Sequence, residues 1–322
     1  MREEIFSQRR KGRKVLITAR DNDMSHRIYT KEDLLQFKPK FSSFVGIDSD
    51  GCVFPTMEIK QKQCFHKLII SHWHLEKMEA RLREAAEFVN LYSKWRGQNR
   101  FVALDKMFDL LRERETVRPS GATLPDTTDM KAFIASGTAL SHDGLKEYIA
   151  KTNSEALKVL LAWSVDVNAE IARTVKKIAP FKWATESLEE IRQNSDAICV
   201  SQTPTEALVR EWEENSILDY VAIIAGQELG TKAEHIEMAT KGRYPASNIL
   251  MIGDAPGDRK AAKANRALFF PINPGHEEAS WECFCKEAYD KFLTGTYAGE
   301  YEQKLIAEFD ALLPGKPAWK SA

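Results

Sequence analysis

Apolar residues along this chain fall into two rhythms. In the first, short compact runs stop abruptly at turn residues, at 44–47, 197–200, 220–225, 248–252 and 267–270. Such runs are the signature of strands covered on both faces of a sheet. Between them, at 185–194, 205–214, 232–240 and 258–264, apolar residues recur every three or four positions, as in amphipathic helices. Strands alternating with helices predict a parallel sheet with both faces covered. Right-handed connections then bring the carboxyl end of every strand to one edge.

From residue 59 to residue 178 the rhythm is helical throughout. Residues 60–90, 101–114 and 154–178 carry apolar residues at helical spacing, the last with Leu157, Leu160, Leu161, Val165, Val167 and Ile171 as its stripe. Pro, Gly, Ser and Thr mark loops at 116–129 and 136–144. Before them, residues 55–58 are expected to turn the chain out of the core. The chain therefore predicts an α/β core, residues 1–58 and 179–322, with an all-helical domain, residues 59–178, inserted into it. Residues 1–43 are a charged leader whose one strand-like piece is Val15-Leu16-Ile17-Thr18. It adds either an edge strand or a dimer arm, the second giving a homo-oligomer. The tail reads as two helices, at 276–292 and 299–313.

The candidate chemistry lies where strands end. The run 44–47 stops at Asp48-Ser49-Asp50-Gly51, and in open α/β sheets that edge is where ligands bind. Taken alone, the tetrapeptide reads equally well as a polar turn. A second run ends at Ile252-Gly253-Asp254, with Asp258 four residues later. Two strands that deliver four carboxylates to one edge would repel each other unless a cation sits among them.

Asp48-x-Asp50-Gly51 resembles the first motif of the haloacid dehalogenase superfamily of phosphotransferases, and Gly253-Asp254-x-x-x-Asp258 resembles its fourth. Ser201, closing Ala197-Ile198-Cys199-Val200, is similar to the second motif, and Lys232, at the head of a helix, is similar to the third. The ordered set covers residues 44–270 apart from the helical insert. The resemblance implies a doubly wound, Rossmann-like parallel sheet with an inserted helical cap of the first type, here longer than many such caps.

It also implies roles. Asp48 would be the nucleophile, since a carboxylate is anionic near neutral pH and attacks phosphorus without a partner base, giving an aspartyl phosphate. Asp50 would protonate the leaving oxygen and then activate water, provided its surroundings raise its pKa. Ser201 and Lys232 would hold the phosphoryl oxygens, with Lys241 as the alternative lysine. Asp48, a first-motif backbone carbonyl placed at Asp50, and Asp254 would ligate Mg²⁺, with Asp258 joining directly or through Lys232 or a water. An acid at Asp50 separates the chain from the dehalogenases, phosphonate-cleaving members and ion pumps of the superfamily. A phosphatase of a small phosphorylated metabolite, or a phosphomutase, remains. Candidate anion contacts in the cap are Arg112, Arg114, Arg118, Lys176 and Lys177. An alternative of a different class is a non-catalytic phospho-ligand or protein-binding module displaying Trp73, Trp95 and Trp163, although tryptophans at helical spacing are more often core.

Composition agrees with an enzyme of this kind. A chain of 322 residues with 43% hydrophobic content buries a sizeable core, and a net charge of −1 gives no reason to expect nucleic acid or an anionic membrane as partner. Residues 1–14 are polar and basic without an apolar core, and no run approaches bilayer length; a cytoplasmic protein is expected. The five cysteines show no paired ligand spacing and are expected to be reduced. His72 and His74, two residues apart on a helix, would point in different directions and form no metal pair.

Overall fold

A computed structural model of the chain describes residues 28–114 and 123–320. Its centre is an all-parallel sheet of five strands, β1 (Phe44–Ile47), β2 (Asp196–Val200), β3 (Ile223–Ala225), β4 (Ile249–Gly253) and β5 (Leu268–Pro271), in the order β3-β2-β1-β4-β5. β1 is the middle strand, and its last residue, Ile47, pairs with Cys199 on one side and Ile252 on the other. The five runs expected to be strands are these five. The largest shift is at β3, where a 3₁₀ turn at Leu218–Tyr220 delays the strand to Ile223.

Side chains alternate between the two faces, as the pleat requires. Val45, Ile47, Cys199, Ile224 and Ile252 pack against the helices Ala184–Asn194 and Thr205–Glu214 and against Trp281 and Phe284 from the tail. Phe44, Ile198, Val200, Met251 and Phe269 pack under the helices Lys232–Thr240 and Pro256–Ala264. Gly46 makes room for this second layer. A Cβ there would lie 3.1 Å from Met251 Sδ and 3.3 Å from Val200 Cγ2.

After β1 the chain builds a helical body with its own core, in which Leu82, Phe101, Phe108, Phe133, Leu160 and Trp163 meet without any residue of the sheet. Residues 60–90 do not form one helix. Thr56–Ile59, a π-helical segment Lys60–Phe65 and His66–His72 run on continuously, the chain turns through His74 at φ 53°, and a second helix spans Glu79–Asn90. The turn serves packing: it sets Trp73 edge-on to Phe108 at 5.5 Å and to Trp163 at 5.8 Å. Pro55 stands at the N-cap of the first of these helices, where the chain leaves the sheet edge for the helical body. Arg100–Arg112, Thr128–Ala135, His142–Thr152 and Glu155–Thr174 complete the body. In the last of these, Leu157, Leu160 and Val167 of the stripe are buried together with Trp163 and Ser164, and Val165 is exposed.

The tail forms a helical run from Glu277 to Leu293, π-helical over Phe284–Ala288, and a helix Glu300–Leu312. It then returns to the helical body, where Trp319 packs edge-on to Phe88 at 5.8 Å under Arg114. Of the leader, a short helix, Lys31–Leu35, buries Leu34 beside Lys232–Thr240. The strand-like residues 15–18 lie outside the described residues, as do 115–122 of the expected loop. All five cysteines are unpaired. Among the described residues no helix is long and apolar enough to cross a membrane.

His66 is fully buried in the helical body and neither ring nitrogen has a hydrogen-bond partner. Burial, with Arg83 and Lys62 nearby, pushes it down from 6.5 to about 3. The unfolded chain therefore binds this proton below pH 6.5 while the folded chain does not, so its contribution to stability is lost as pH falls from 6.5 towards 3. At pH 5 the loss from this group is about 2 kcal/mol. Urea unfolding of His66→Leu should show a shallower decline than the parent between pH 6.5 and pH 5; parallel curves would rule out the buried neutral imidazole.

Candidate active site

The sheet brings the motif residues to one edge. The Asp48 N–H donates to the Ile252 carbonyl at 3.0 Å, extending the β1–β4 pairing past the strand and fixing Asp48 beside Asp254 at the end of β4. One carboxylate oxygen each of Asp48, Asp254 and Asp258 lie within 4.8 Å of one another, and all three residues are buried. Lys232 sits between two of them, with Nζ 2.7 Å from Asp48 Oδ2 and 2.5 Å from Asp258 Oδ1. It is aimed there by its helix, which starts at a reciprocal cap between Thr231 and Glu234 and places Lys232 in the first turn. Lys241, the alternative, is exposed at the far end of the same helix and paired with Glu237. Of the two lysines, it is Lys232 that lies among the acids.

Charge in this cluster is finely opposed. Burial pushes the Asp48 carboxyl well above its usual range; Lys232 pulls it back, and Asp258 and Asp254 push it up further. Burial alone would lower Lys232, but Asp258 and Asp48 outweigh it and hold the ammonium above its ordinary value. Asp258 also accepts from the Ala255 N–H at 3.0 Å, capping its own helix.

The helical body supplies a residue that sequence reasoning missed. Arg96 is 2% exposed and donates from Nε at 2.8 Å and Nη2 at 2.5 Å to Asp254 Oδ2, while Nη1 donates to the Leu91 carbonyl. Burial raises the Asp254 carboxyl, with Arg96 acting in the opposite direction. Gly51, at φ +77°, permits this approach: a Cβ there would lie 2.6 Å from both Arg96 Nη2 and Asp254 Oδ2.

Asp50 faces the other way, into a cleft of about 800 Å³ between the sheet edge and the helical body. Its Oδ1 accepts from Thr56 Oγ1 and Lys60 Nζ, both at 2.5 Å, and its Oδ2 from Thr203 Oγ1 at 2.6 Å. Burial would raise its pKa, but Lys60 and the two hydroxyls outweigh burial and hold it below the usual value. An acid role required the opposite. The resting Asp50 is an anion because a lysine ten residues on, unremarkable in the sequence, folds back onto it. Glu211, on another wall of the cleft, is the reverse case: burial, aided by Asp50, pushes it up to about 8 although Ser49 Oγ donates to it at 3.2 Å.

Ser201 ends β2 as expected, buried, with its N–H on the Ala225 carbonyl and its hydroxyl accepting from the Thr203 N–H at 3.2 Å. Among the described residues it makes no hydrogen bond to the four acids. Of the expected anion contacts, Lys176 and Lys177 line the cleft. Arg112 is held by Asp109 and Arg114 by Glu84, and Arg118 lies outside the described residues.

The acid cluster suits a divalent cation. Asp254 Oδ1 is buried with no hydrogen-bond partner, and three carboxyl groups facing only Lys232 and Arg96 leave a deficit of positive charge. Hard oxygen donors of this kind suit a hard divalent cation.

No protein-family profile and no curated protein matches the chain. Solved structures are similar to it. A haloacid dehalogenase-like hydrolase from Streptococcus pneumoniae is 14% identical, with 76% of this chain and 91% of that chain covered at a TM-score of 0.40. A phosphoglycolate phosphatase-like protein from Lactobacillus delbrueckii subsp. bulgaricus is 14% identical over 81% and 100%, at 0.47. A HAD-hydrolase-like protein from Bacillus subtilis, solved bound to magnesium, is 11% identical over 71% and 86%, at 0.40. Likeness at this level assigns neither a reaction nor a substrate to this chain.

Because Arg96 and Asp254 are both buried, removing one partner strands the other. Arg96→Met, measured by urea unfolding with divalent ions chelated, should lose about 3 kcal/mol or more. Arg96→Met combined with Asp254→Asn should recover most of the loss. An unchanged midpoint in the single variant would mean that the pair contributes nothing to the fold.

Proposed function

We propose that this chain is a Mg²⁺-dependent phosphatase of the haloacid dehalogenase type, which hydrolyses a small phosphorylated metabolite through an aspartyl phosphate. The observation that carries this reading is the placement of Asp48. It follows the central strand, 2.7 Å from Lys232 and against Asp254 and Asp258, two residues before Asp50, which lines the cleft. The five unpaired cysteines suit a reducing cytoplasm.

Asp48 attacks phosphorus, forming an O–P bond as the ester P–O bond breaks and the leaving oxygen takes a proton. Water then attacks the same phosphorus, its proton passes to Asp50, and phosphate leaves with Asp48 restored. Lys232 offsets negative charge on the phosphoryl oxygens, and Ser201 offers them a hydroxyl. Mg²⁺, held by Asp48, Asp254 and Asp258 with a backbone carbonyl at Asp50, would supply the further positive charge that favours ionised Asp48 and the approach of a phosphate dianion. Asp50 rests as an anion and is thereby set for the second step. For the first, Glu211 is a carboxyl in the same cleft that carries a proton at neutral pH.

Hydrolysis is favoured over mutase chemistry because the Asp50 and Lys60 side chains each keep 15% of their surface open, so water reaches the acid–base group. The binding-module reading loses its motive surface, since Trp163 is buried in the helical body and Trp73 packs against it.

Asp48→Asn should abolish Mg²⁺-dependent hydrolysis of p-nitrophenyl phosphate while leaving the circular dichroism spectrum unchanged. Asp50→Asn should give a burst of nitrophenol and then a steady state slower by about 10²- to 10⁴-fold, because the leaving group needs no acid but water needs its base. Appreciable Mg²⁺-dependent turnover by Asp48→Asn would remove it as nucleophile, and wild-type turnover by Asp50→Asn would leave that residue a structural role.

A further inference from the structure

The cleft that Asp50 lines also contains an arginine without an acid. Arg100 opens the helix Arg100–Arg112, and its guanidinium lies over the Phe65 ring at 5.3 Å. Its hydrogen bonds all leave from Nη1, to Ser164 O at 3.1 Å, Ser164 Oγ at 3.1 Å and Asn168 Oδ1 at 2.8 Å. Each acceptor is neutral. Among the described residues no carboxylate lies within ion-pair distance of Arg100, and Nε and Nη2 make no hydrogen bond. Burial is strong enough to push it down to about 10. A desolvated guanidinium is normally paired, and its unused edge matches a carboxylate or a phosphate in bidentate fashion.

The surroundings sharpen the case. The other acids of the cleft are engaged or neutral: Asp50 is held by Lys60, Asp143 by Lys146, Glu214 accepts from the Lys177 N–H, and Glu211 is protonated. His142 donates to or accepts from Ser164 Oγ at 2.7 Å; burial and Arg100 lower its pKa, so it adds hydrogen bonding without charge. Gln61, 8% exposed, lines the same cleft, with its Oε1 buried.

We infer that the substrate carries a second anionic group, a carboxylate or a second phosphate, which binds Arg100 in this cleft while its phosphate ester reacts at Asp48. This rests on the phosphatase reading and narrows its substrate to phosphorylated acids or bisphosphates.

The test compares kcat/KM for glycerol phosphate, phosphoglycerate and fructose bisphosphate in the parent, Arg100→Met and Arg100→Lys proteins. In the parent, at least one doubly anionic substrate should be preferred over glycerol phosphate by about tenfold or more, mostly through KM. Phosphoglycerate winning identifies the group as a carboxylate; the bisphosphate winning identifies it as a phosphate. In Arg100→Met the ratio should collapse towards one, and Arg100→Lys, which keeps charge but loses the fork, should fall between. No preference in the parent, or a preference that survives Arg100→Met, overturns the inference. Should no phosphate ester turn over, the phosphatase reading fails separately. Calorimetric binding of phosphoglycerate and fructose bisphosphate to the parent and Arg100→Met then decides the arginine's role: tighter binding by the parent supports it, and equal affinity refutes it.

Discussion

Three carboxyl groups buried side by side at the end of a sheet are the constraint on which this molecule turns. Burial disfavours the anions of Asp48 and Asp254, and the neighbouring carboxyl groups add to this. The fold answers by inserting cations: Lys232 between Asp48 and Asp258, and Arg96 on the far oxygen of Asp254. Even so, the three carboxyl groups outnumber the two cations, and Asp254 keeps an unpartnered oxygen. A site built this way is under electrostatic tension that a divalent ion relieves and that a phosphate dianion alone would worsen. Much of the local architecture serves the arrangement. Gly46 lets the helix carrying Lys232 close on the sheet, and Gly51 lets the Arg96 guanidinium reach the acid.

The helical body is therefore more than a cover. Arg96 and Lys60 come from it, and they hold Asp254 and Asp50, which belong to the sheet edge. The state of the acids depends on the body being in place: the same contact that orders Asp50 also keeps it ionised. Arg100, from the same body, lines the same cleft as Asp50 without an acid partner among the described residues. On the proposed reading, the reacting groups come from the sheet edge and the recognition group from the helical body.

What was legible in the sequence was local. A strand buried on both faces must be a compact apolar run, and the residues just past it must lie at the sheet edge, so Asp48, Ser201 and Asp254 could be placed from spacing alone. Lys232 was readable because it stands at the head of a segment with helical spacing. The partners that set ionisation were not. Arg96 meets Asp254 across 158 positions, and Thr203 meets Asp50 across 153, distances over which periodicity carries no pairing information. Lys60 lay close in sequence, yet only the π-helical turn shows that it reaches back to Asp50. The break at Trp73 was hidden for a related reason: apolar spacing continues through the turn, and the aromatic packing that fixes it involves Phe108 and Trp163.

The phosphorylated state of Asp48 can be observed directly. Protein mixed with a radiolabelled phosphate ester and Mg²⁺, and quenched in acid within milliseconds, should carry label that is stable to acid, released by hydroxylamine and confined to the peptide containing Asp48. Asp50→Asn should accumulate it when the ester has a good leaving group. Turnover with no protein-bound label at any quench time, or label on a peptide without Asp48, would contradict nucleophilic attack by this residue.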